Sequence, residues 1–229
     1  MAIVSVRGLK RTYEQGSTLV HALAGVDIDI ESGEFTALMG PSGSGKSTLL
    51  NCIGGLDSPT GGTVTVDGTE LSTLSKGALS DLRLEKLGFV FQSYNLIPVL
   101  SAYENAEFVL LLQGMSASER KERVMQTLED VGLKGMEHRR PSELSGGQQQ
   151  RVAVARAIAG RPALVLADEP TANLDSKTGE DLIALMRSLN DAHGITFVFA
   201  THDPKVMHAA KRVVRLVDGQ IDQDERKDA

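Results

Sequence analysis

The sequence predicts an α/β fold with a mostly parallel β-sheet and helices on both of its faces. Three observations predict this fold. The last third of the chain alternates apolar, strand-like runs with helical segments, which is typical of a parallel sheet. Residues 35–39 are mostly apolar and run directly into a glycine-rich loop and then a helical segment. Around that run, short segments alternate apolar and polar side chains, as strands with one wet face do.

The first ninety residues are predicted to be rich in strands. The predicted strands cover residues 3–6, 26–30, 35–39, 63–66 and 87–91. In the second of them, Val26, Ile28 and Ile30 alternate with two aspartates, so only one face is apolar. The fourth ends at an Asp-Gly dipeptide, which is a strong signal for a tight turn. These short strands predict an N-terminal β lobe beside the parallel core.

The middle of the chain is predicted to be helical. Residues 101–113 carry apolar side chains at helical spacing, and residues 116–119 fit a capping box before a helix that stops at Gly132. A further helix is predicted over residues 147–159 and ends at Gly160. The last third then predicts strands over residues 164–167, 195–200 and 212–217, with helices over residues 178–192 and 204–210. The mixed-charge residues 224–228 are predicted to be a solvated end.

The composition is that of an ordinary globular domain. The chain has 229 residues, of which 41% are hydrophobic and 24% charged, with a formal net charge of −6. This charge argues against a nucleic-acid partner. Cys52 is the only cysteine, so a disulfide framework is excluded and a reducing cytoplasm is the natural setting. The apolar runs fall far short of the roughly 20 residues of a membrane span, so we expect any membrane contact to pass through a partner.

The glycine-rich loop fits the phosphate-binding pattern G-x-x-x-x-G-K-[ST]. Its glycines let the backbone curl around phosphate oxygens, and the helix that follows presents its positive end to the same charge. Lys46 can reach the β- and γ-phosphates, and the Ser47 hydroxyl can hold Mg²⁺. The pattern predicts a nucleotide-binding loop made of Gly40, Pro41, Ser42, Gly43, Ser44, Gly45, Lys46, Ser47 and Thr48.

A second acidic element follows an apolar strand late in the chain. Residues 163–167 are apolar and lead directly into Asp168 and Glu169. Ligands of open α/β sheets bind at the carboxyl ends of the strands, so both carboxylates are expected at the nucleotide. We expect Asp168 to hold the metal and Glu169 to orient or deprotonate the attacking water.

A second helix start combines a serine with two glycines, in the segment Leu144, Ser145, Gly146, Gly147 and Gln148. It is another anion-binding helix terminus, and one bound ATP does not obviously need two. With these motifs in this order, nearly the whole chain resembles the ATP-binding-cassette (ABC) ATPases. The resemblance implies that this signature segment lies across a dimer interface, on the γ-phosphate of the partner's nucleotide.

The resemblance also implies roles for further residues. Tyr13 corresponds to an aromatic side chain that stacks on adenine, and Asp175 to a loop that crosses to the partner subunit. Gln92 corresponds to a glutamine that contacts metal and water, and His202 to a switch histidine that contacts the γ-phosphate. The implied catalytic residues are Glu169, His202 and Gln92, and the implied metal ligands are Ser47, Gln92 and Asp168.

The architecture implied by the resemblance is a single ABC ATPase domain over residues 1–229. Residues 1–91 and 161–229 would form the P-loop NTPase core with an N-terminal antiparallel β lobe, and residues 92–160 an inserted α-helical signature lobe. ATP and Mg²⁺ are the implied cofactors. Two copies would close around two Mg-ATP and drive a separate integral membrane permease, from the cytoplasmic face of the inner (plasma) membrane.

A finer resemblance connects the chain with the macrolide-export and lipoprotein-release subgroup, through residues 40–48, 55–62, 88–92, 140–144 and 166–171. The chain departs from this subgroup at Ala172, where glycine is usual, and in residues 108–113, which lack a proline. The specific role therefore stays open between lipoprotein release or other envelope-related work and efflux of macrolides or antimicrobial peptides. The alternative class is a DNA-repair or translation cassette. The chain lacks the coiled-coil heptads of a DNA-repair cassette, and it lacks the additional cassette and the basic surface of a translation factor.

Overall fold

The computed structural model describes residues 2–16 and 18–227. Its strands are β1 (Ala2–Gln15), β2 (Thr18–Glu31), β3 (Phe35–Met39), β4 (Gly61–Val66), β5 (Thr69–Glu70), β6 (Leu87–Val90), β7 (Leu164–Asp168), β8 (Thr196–Thr201), β9 (Arg212–Val217) and β10 (Gln220–Arg226). Its helices are α1 (Lys46–Ile53), α2 (Lys76–Lys86), α3 (Ala102–Leu112), α4 (Ala117–Asp130), α5 (Gly146–Ala159), α6 (Ser176–His193) and α7 (Pro204–Ala209).

The larger sheet has six strands in the order β10-β9-β3-β8-β7-β6. The neighbours from β9 to β6 are parallel, and only β10 runs antiparallel to its neighbour. Its central strands β3 and β8 are mostly apolar and buried on both faces, as parallel strands covered by helices are. Phe35 packs on Phe197 and Phe199 in adjacent strands, with ring centres 5.6 and 4.9 Å apart. The predicted mostly parallel sheet is confirmed.

The smaller sheet is antiparallel and has the order β2-β1-β4-β5. Its first two strands pair along their whole length, from Ala2 opposite Glu31 to Gln15 opposite Thr18. They are much longer than the predicted strands over residues 3–6 and 26–30. The pairing contains several register shifts, which interrupt the two-residue periodicity on which the sequence prediction relied.

Three helices in the middle of the chain begin with the same N-terminal capping motif. Ser101, Ser116 and Ser145 each cap a helix in a reciprocal capping box, which confirms the box predicted at residues 116–119. The helices α3, α4 and α5 pack together over buried side chains such as Leu110 and Leu128. Their division from the rest of the chain, at residues 92 and 160, stays a prediction. No helix within residues 2–16 and 18–227 combines the length and apolar character needed to cross a bilayer.

The predicted solvated end is exposed over residues 224–227, and Asp228 lies outside the described residues. The sequence did not predict that residues 220–226 form the edge strand β10. Asp224 accepts two hydrogen bonds from Arg212, at 2.8 and 2.7 Å, and Arg212 also pairs with Glu34 at 2.9 Å. Arg212 is almost fully buried. The tail is ordered by this buried arginine, because a buried charge needs its partners.

Candidate nucleotide-binding site

The glycine-rich loop joins the central strand β3 to the helix α1, as predicted. Two of its glycines have no room for a side chain. A Cβ on Gly40, whose φ is +152°, would collide with the backbone carbonyl of Leu216, and one on Gly45 would lie 2.5 Å from the Ala22 carbonyl oxygen. Gly45 has a φ of 103° and directly precedes α1. The loop therefore fits closely between the two sheets, with the first N–H groups of a helix at its end.

Lys46 is the first residue of α1 and is only 7% exposed. Its ammonium group donates to the carbonyl oxygens of Gly40 and Pro41, at 2.7 and 3.0 Å. These acceptors belong to the loop itself and carry no charge. The ammonium is thus held inside the loop where a phosphate is expected, and an anion there would be a stronger acceptor.

The predicted carboxylates lie beside this loop. The hydroxyl of Ser47 donates to Asp168 Oδ1 at 2.9 Å, which joins the end of strand β7 to the first turn of α1. Burial, together with the neighbouring charge of Glu169, raises the pKa of the Asp168 carboxyl above its ordinary value, against the opposing effects of Ser47 and Lys46. The ionised carboxylate is therefore short of positive charge, as expected of a cation ligand.

Glu169 and His202 meet at the same edge of the sheet. Glu169 directly follows β7, and His202 directly follows the neighbouring parallel strand β8. His202 Nδ1 lies 2.9 and 3.0 Å from the two carboxylate oxygens of Glu169. Glu169 is 17% exposed at its side chain, and its backbone φ is +47°, a conformation that non-glycine residues seldom adopt. The side chain of His202 is 69% exposed. The structure thus brings the predicted base and the predicted switch histidine into contact.

Tyr13 lies in the β lobe, on the hairpin that covers the loop. Tyr13 pairs with Val20, two residues along β2 from the Ala22 carbonyl that touches Gly45. The hairpin of β1 and β2 therefore contacts the phosphate loop at Ala22 and carries Tyr13 a short distance further along. A nucleotide with its phosphates in the loop would have room to extend its base toward Tyr13.

Gln92 directly follows Phe91, which is the first residue after the strand β6. Its backbone carbonyl accepts a hydrogen bond from Asn173 at 2.9 Å. Sequence reasoning missed a buried residue next to it: Gln150 of α5 donates to the carbonyls of Pro170 and Phe91, at 2.8 and 3.5 Å. Gln150 thereby links two segments: the one that leads into Gln92 and the one that follows Glu169. Gln150 is the third of three consecutive glutamines in α5, so the local sequence did not single it out.

The signature segment lies at another place on the same chain. Ser145 accepts a hydrogen bond from the Gln148 backbone, and Gln148 in turn accepts one from the Ser145 backbone. A Cβ on Gly147 would lie 2.5 Å from Thr178, whose hydroxyl donates to Asp175 at 2.6 Å. Asp175 caps α6. The signature segment and the predicted dimer loop are thus neighbours, and the hydrogen bonds described for Ser145 and Asp175 do not reach the phosphate loop.

Comparisons with known proteins agree with these motifs. The family model described as ABC transporter matches residues 23–172. MJ0796 of Methanocaldococcus jannaschii, named an uncharacterized ABC transporter ATP-binding protein, is 44% identical over 98% of this chain and 97% of its own. Its solved dimeric structure, described as a post-hydrolysis state bound to ADP and Pi, has a TM-score of 0.90 and covers 99% of both chains at 44% identity.

Two relatives with more specific names belong to transport systems. The lipoprotein-releasing system ATP-binding protein LolD of Anaeromyxobacter dehalogenans is 48% identical over 95% of this chain and 92% of its own. The macrolide export ATP-binding/permease protein MacB of Mannheimia succiniciproducens is 44% identical over 99% of this chain, which spans only 35% of that protein. The predicted fold is confirmed, and the chain belongs to the ABC transporter family as one of its ATP-hydrolysing cassettes.

Proposed function

We propose that this chain binds and hydrolyses Mg-ATP as one half of a twofold dimer and drives a separate membrane permease. One observation carries the proposal. The phosphate loop and the carboxylates Asp168 and Glu169 meet at one edge of the sheet, whereas the signature segment forms a second helix N-terminus elsewhere on the chain. Two copies related by a twofold axis would present each segment to the other's nucleotide.

The phosphate loop, residues 40–48, would hold the triphosphate. Lys46 would exchange its two loop carbonyls for β- and γ-phosphate oxygens. The Ser44 hydroxyl is buried with no hydrogen-bond partner among the described residues, so an acceptor brought by the ligand would satisfy it. Tyr13 would stack on the adenine.

The residues present suit Mg²⁺, which prefers oxygen ligands. Ser47, Asp168 and Gln92 would hold it, and the hydroxyl of Ser47 is already joined to the carboxylate of Asp168 at 2.9 Å. When bound, the ion would neutralise charge that develops on the phosphates. The protein's own contribution is to keep these oxygens close together on rigid elements.

Glu169 would orient or deprotonate the water that attacks the γ-phosphate. His202 holds both of its carboxylate oxygens, which fixes the direction of the side chain at the sheet edge. His202 would contact the γ-phosphate once the dimer closes. Because the signature segment and Asp175 would come from the partner, hydrolysis requires both copies. The dimeric structures of MJ0796 support such an assembly.

A groove beside Gln92 suits a permease. Its volume is about 420 Å³, and its mostly apolar walls come from α2, β6, α3, α5 and the loop after α1. Lining residues include Leu56, Phe89, Phe91, Phe108, Leu112 and Arg156. Phe108 and Leu112 are 41% and 57% exposed. An amphipathic helix of the permease would cover these side chains. Since Phe91 directly precedes Gln92, movement of that helix would reach the metal site.

The names of MacB and LolD support export or envelope-related mechanical work at the cytoplasmic face of the inner membrane. Lipoprotein release and macrolide or antimicrobial-peptide efflux both fit this proposal. Co-purification from solubilised membranes, with identification of the accompanying integral membrane protein, tests the permease and decides between these roles. Recovery of nucleic acid or ribosomes instead would contradict the transport role.

Phe108→Asp tests the docking groove. We expect binding of the permease to weaken by about tenfold or more, since removing a central apolar anchor costs about 2 kcal/mol. The matched control is Leu111→Asp, because Leu111 is 51% exposed on the same helix but does not line the groove. The measurement is permease-stimulated ATPase activity in proteoliposomes. Equal stimulation of both variants would remove the groove from the proposal.

A further inference from the structure

Tyr13 is held by two neighbours that sequence reasoning did not single out. The Tyr13 hydroxyl donates to Asp57 Oδ2 at 2.5 Å. The Arg11 guanidinium lies 4.4 Å from the centre of the Tyr13 ring. It also donates to both carboxylate oxygens of Asp57, at 2.9 Å from Nε and 2.8 Å from Nη2. Each of the three side chains contacts the other two, and we refer to them as the Tyr13 triad.

The triad is attached to the far end of the phosphate-loop helix. The backbone N–H groups of Leu56 and Asp57 both donate to the carbonyl of Asn51, at 2.8 and 3.2 Å. Asp57 Oδ1 accepts a further hydrogen bond from the Ser58 backbone at 2.8 Å. Because Lys46 begins the same helix, Asp57 fixes the ring relative to the loop that would hold the phosphates.

The ion pair within the triad is shielded from water. The side chains of Arg11 and Asp57 are 23% and 22% exposed, less than most of the ion pairs on this chain. Burial opposes ionisation of Asp57, but the hydrogen bonds from Tyr13 and Arg11 outweigh it, so the pKa of this carboxyl lies below its ordinary value. Asp57 therefore stays ionised at neutral pH and keeps accepting the Tyr13 hydroxyl.

The Tyr13 ring is half-buried, and Arg11 lies against one of its faces. The two side chains are in contact although a register shift interrupts β1 between Arg11 and Thr12. The guanidinium covers one side of the ring, which is the favourable arrangement for a cation on an aromatic ring. A base can then stack on the opposite side without displacing Arg11. A ring that is already fixed loses less rotamer freedom when the base binds.

We propose that Asp57 and Arg11 are positioning residues that hold Tyr13 ready to stack on adenine. This inference rests on the proposed function, in which Tyr13 takes the adenine of ATP. The triad acts on recognition of the base, whereas the phosphate loop acts on the phosphates. Loss of the triad therefore weakens binding of nucleotides and leaves binding of a bare polyphosphate unchanged.

The test uses calorimetry on the full chain with two Mg²⁺-loaded probes, a non-hydrolysable ATP analogue and tripolyphosphate. Asp57→Asn removes the charge at constant shape, and Tyr13→Phe removes only the hydroxyl. We expect each variant to bind the ATP analogue about three- to tenfold more weakly. A loss of this size corresponds to the free energy needed to order one side chain on binding. Because both changes affect the contact between Tyr13 and Asp57, their effects in the double variant should be less than additive. Tripolyphosphate affinity should not change.

Asp67→Asn is the matched control, because Asp67 is also in the β lobe and pairs with Lys86 at 2.9 Å, away from Tyr13. It should bind both probes like the parent. Unchanged or tighter binding of the ATP analogue by Asp57→Asn would overturn the inference, as would an equal loss for tripolyphosphate. If Asp57→Asn does not fold, Tyr13→Phe makes the same prediction alone. A parent chain that binds neither probe would contradict the proposed function itself.

Discussion

The two glycine-rich helix starts of this molecule look alike in sequence but have different surroundings. The phosphate loop is enclosed by the sheets at its two ends, while residues 41–43 at its tip are exposed. Gly40 lies against the carbonyl of Leu216, and Lys46 is 7% exposed. The signature segment is open at its tip. Ser145 is exposed, and the partner described for its hydroxyl is the backbone of Gln148 within the same turn. The lysine and the last glycine of the phosphate loop are thus buried, whereas the serine of the signature segment is at the surface.

The neighbours of the two segments explain this difference. The phosphate loop is placed by the strand β3, the centre of the parallel sheet. The signature glycines instead lie against Tyr94, in the loop after β6, and Thr178, in the first turn of α6. Tyr94 has a φ of +59°, and the carbonyl of Tyr94 accepts a hydrogen bond from Arg156. The phosphate loop is therefore attached to the central sheet, whereas the signature segment packs on the loop after β6 and on the first turn of α6.

The largest effect is expected at the enclosed loop. Lys46→Ala removes the cation that would meet the phosphates, and we expect ATP affinity to fall by about 100-fold or more, as for loss of charge-assisted hydrogen bonds. Calorimetry with Mg-ATP measures it. The control is Lys86→Ala, which removes an exposed lysine paired with Asp67. If Lys46→Ala bound ATP like the parent, the loop would not be the nucleotide site.

A smaller effect is expected at the open segment. Ser145→Arg places a large cation at the tip that would meet the partner's nucleotide. We expect ATP binding by the monomer to persist while turnover falls by about 10- to 100-fold, since a hydrogen bond to a charged group contributes about 1.5–3 kcal/mol. Single-chain binding is measured by calorimetry, and turnover by phosphate release.

Ser116→Arg is a close control for this variant. Ser116 caps α4 with the same capping box that Ser145 provides for α5. Both substitutions should therefore cost a similar free energy of unfolding, about 1 kcal/mol. Only Ser145→Arg should lose turnover. If both variants lost it equally, the effect would come from helix capping, and the comparison between the two helix starts would lose its functional meaning.

Much of the enclosed loop could be predicted from the sequence, because its requirements are local. The motif of residues 40–48 predicted the strand, the loop and the helix, and the apolar run before Asp168 predicted the strand β7, which is separated from β3 by β8. The contact of Ser47 with Asp168 joins residues 121 positions apart, yet it follows from the parallel order of the strands. For these residues, local pattern and tertiary structure agree.

The remaining features depend on long-range partners that no local pattern indicates. The helix α2 buries no residue fully, so its apolar stripe is weak, and the sequence did not predict it. The strand β10 is charged along most of its length and is ordered by the buried Arg212. The role proposed for Asp57 depends on its contact with Tyr13, which lies 44 residues away in the sequence. The open signature segment is the extreme case, because its proposed ligand belongs to another chain.

The smallest expected effect lies between the two regions, at Gln150. Gln150→Leu removes the donor to the buried carbonyl of Pro170, which costs about 1–3 kcal/mol when left unsatisfied. The Oε1 atom of Gln150 is itself buried without a described partner, so its removal offsets part of this cost. We therefore expect the free energy of unfolding to fall by about 1 kcal/mol, measured by urea denaturation. Gln126→Leu, at an exposed glutamine that donates to Asp130, should stay within about 0.5 kcal/mol of the parent. A Gln150→Leu variant as stable as this control would mean that the signature helix is not fastened to the loops after β6 and β7 through this side chain.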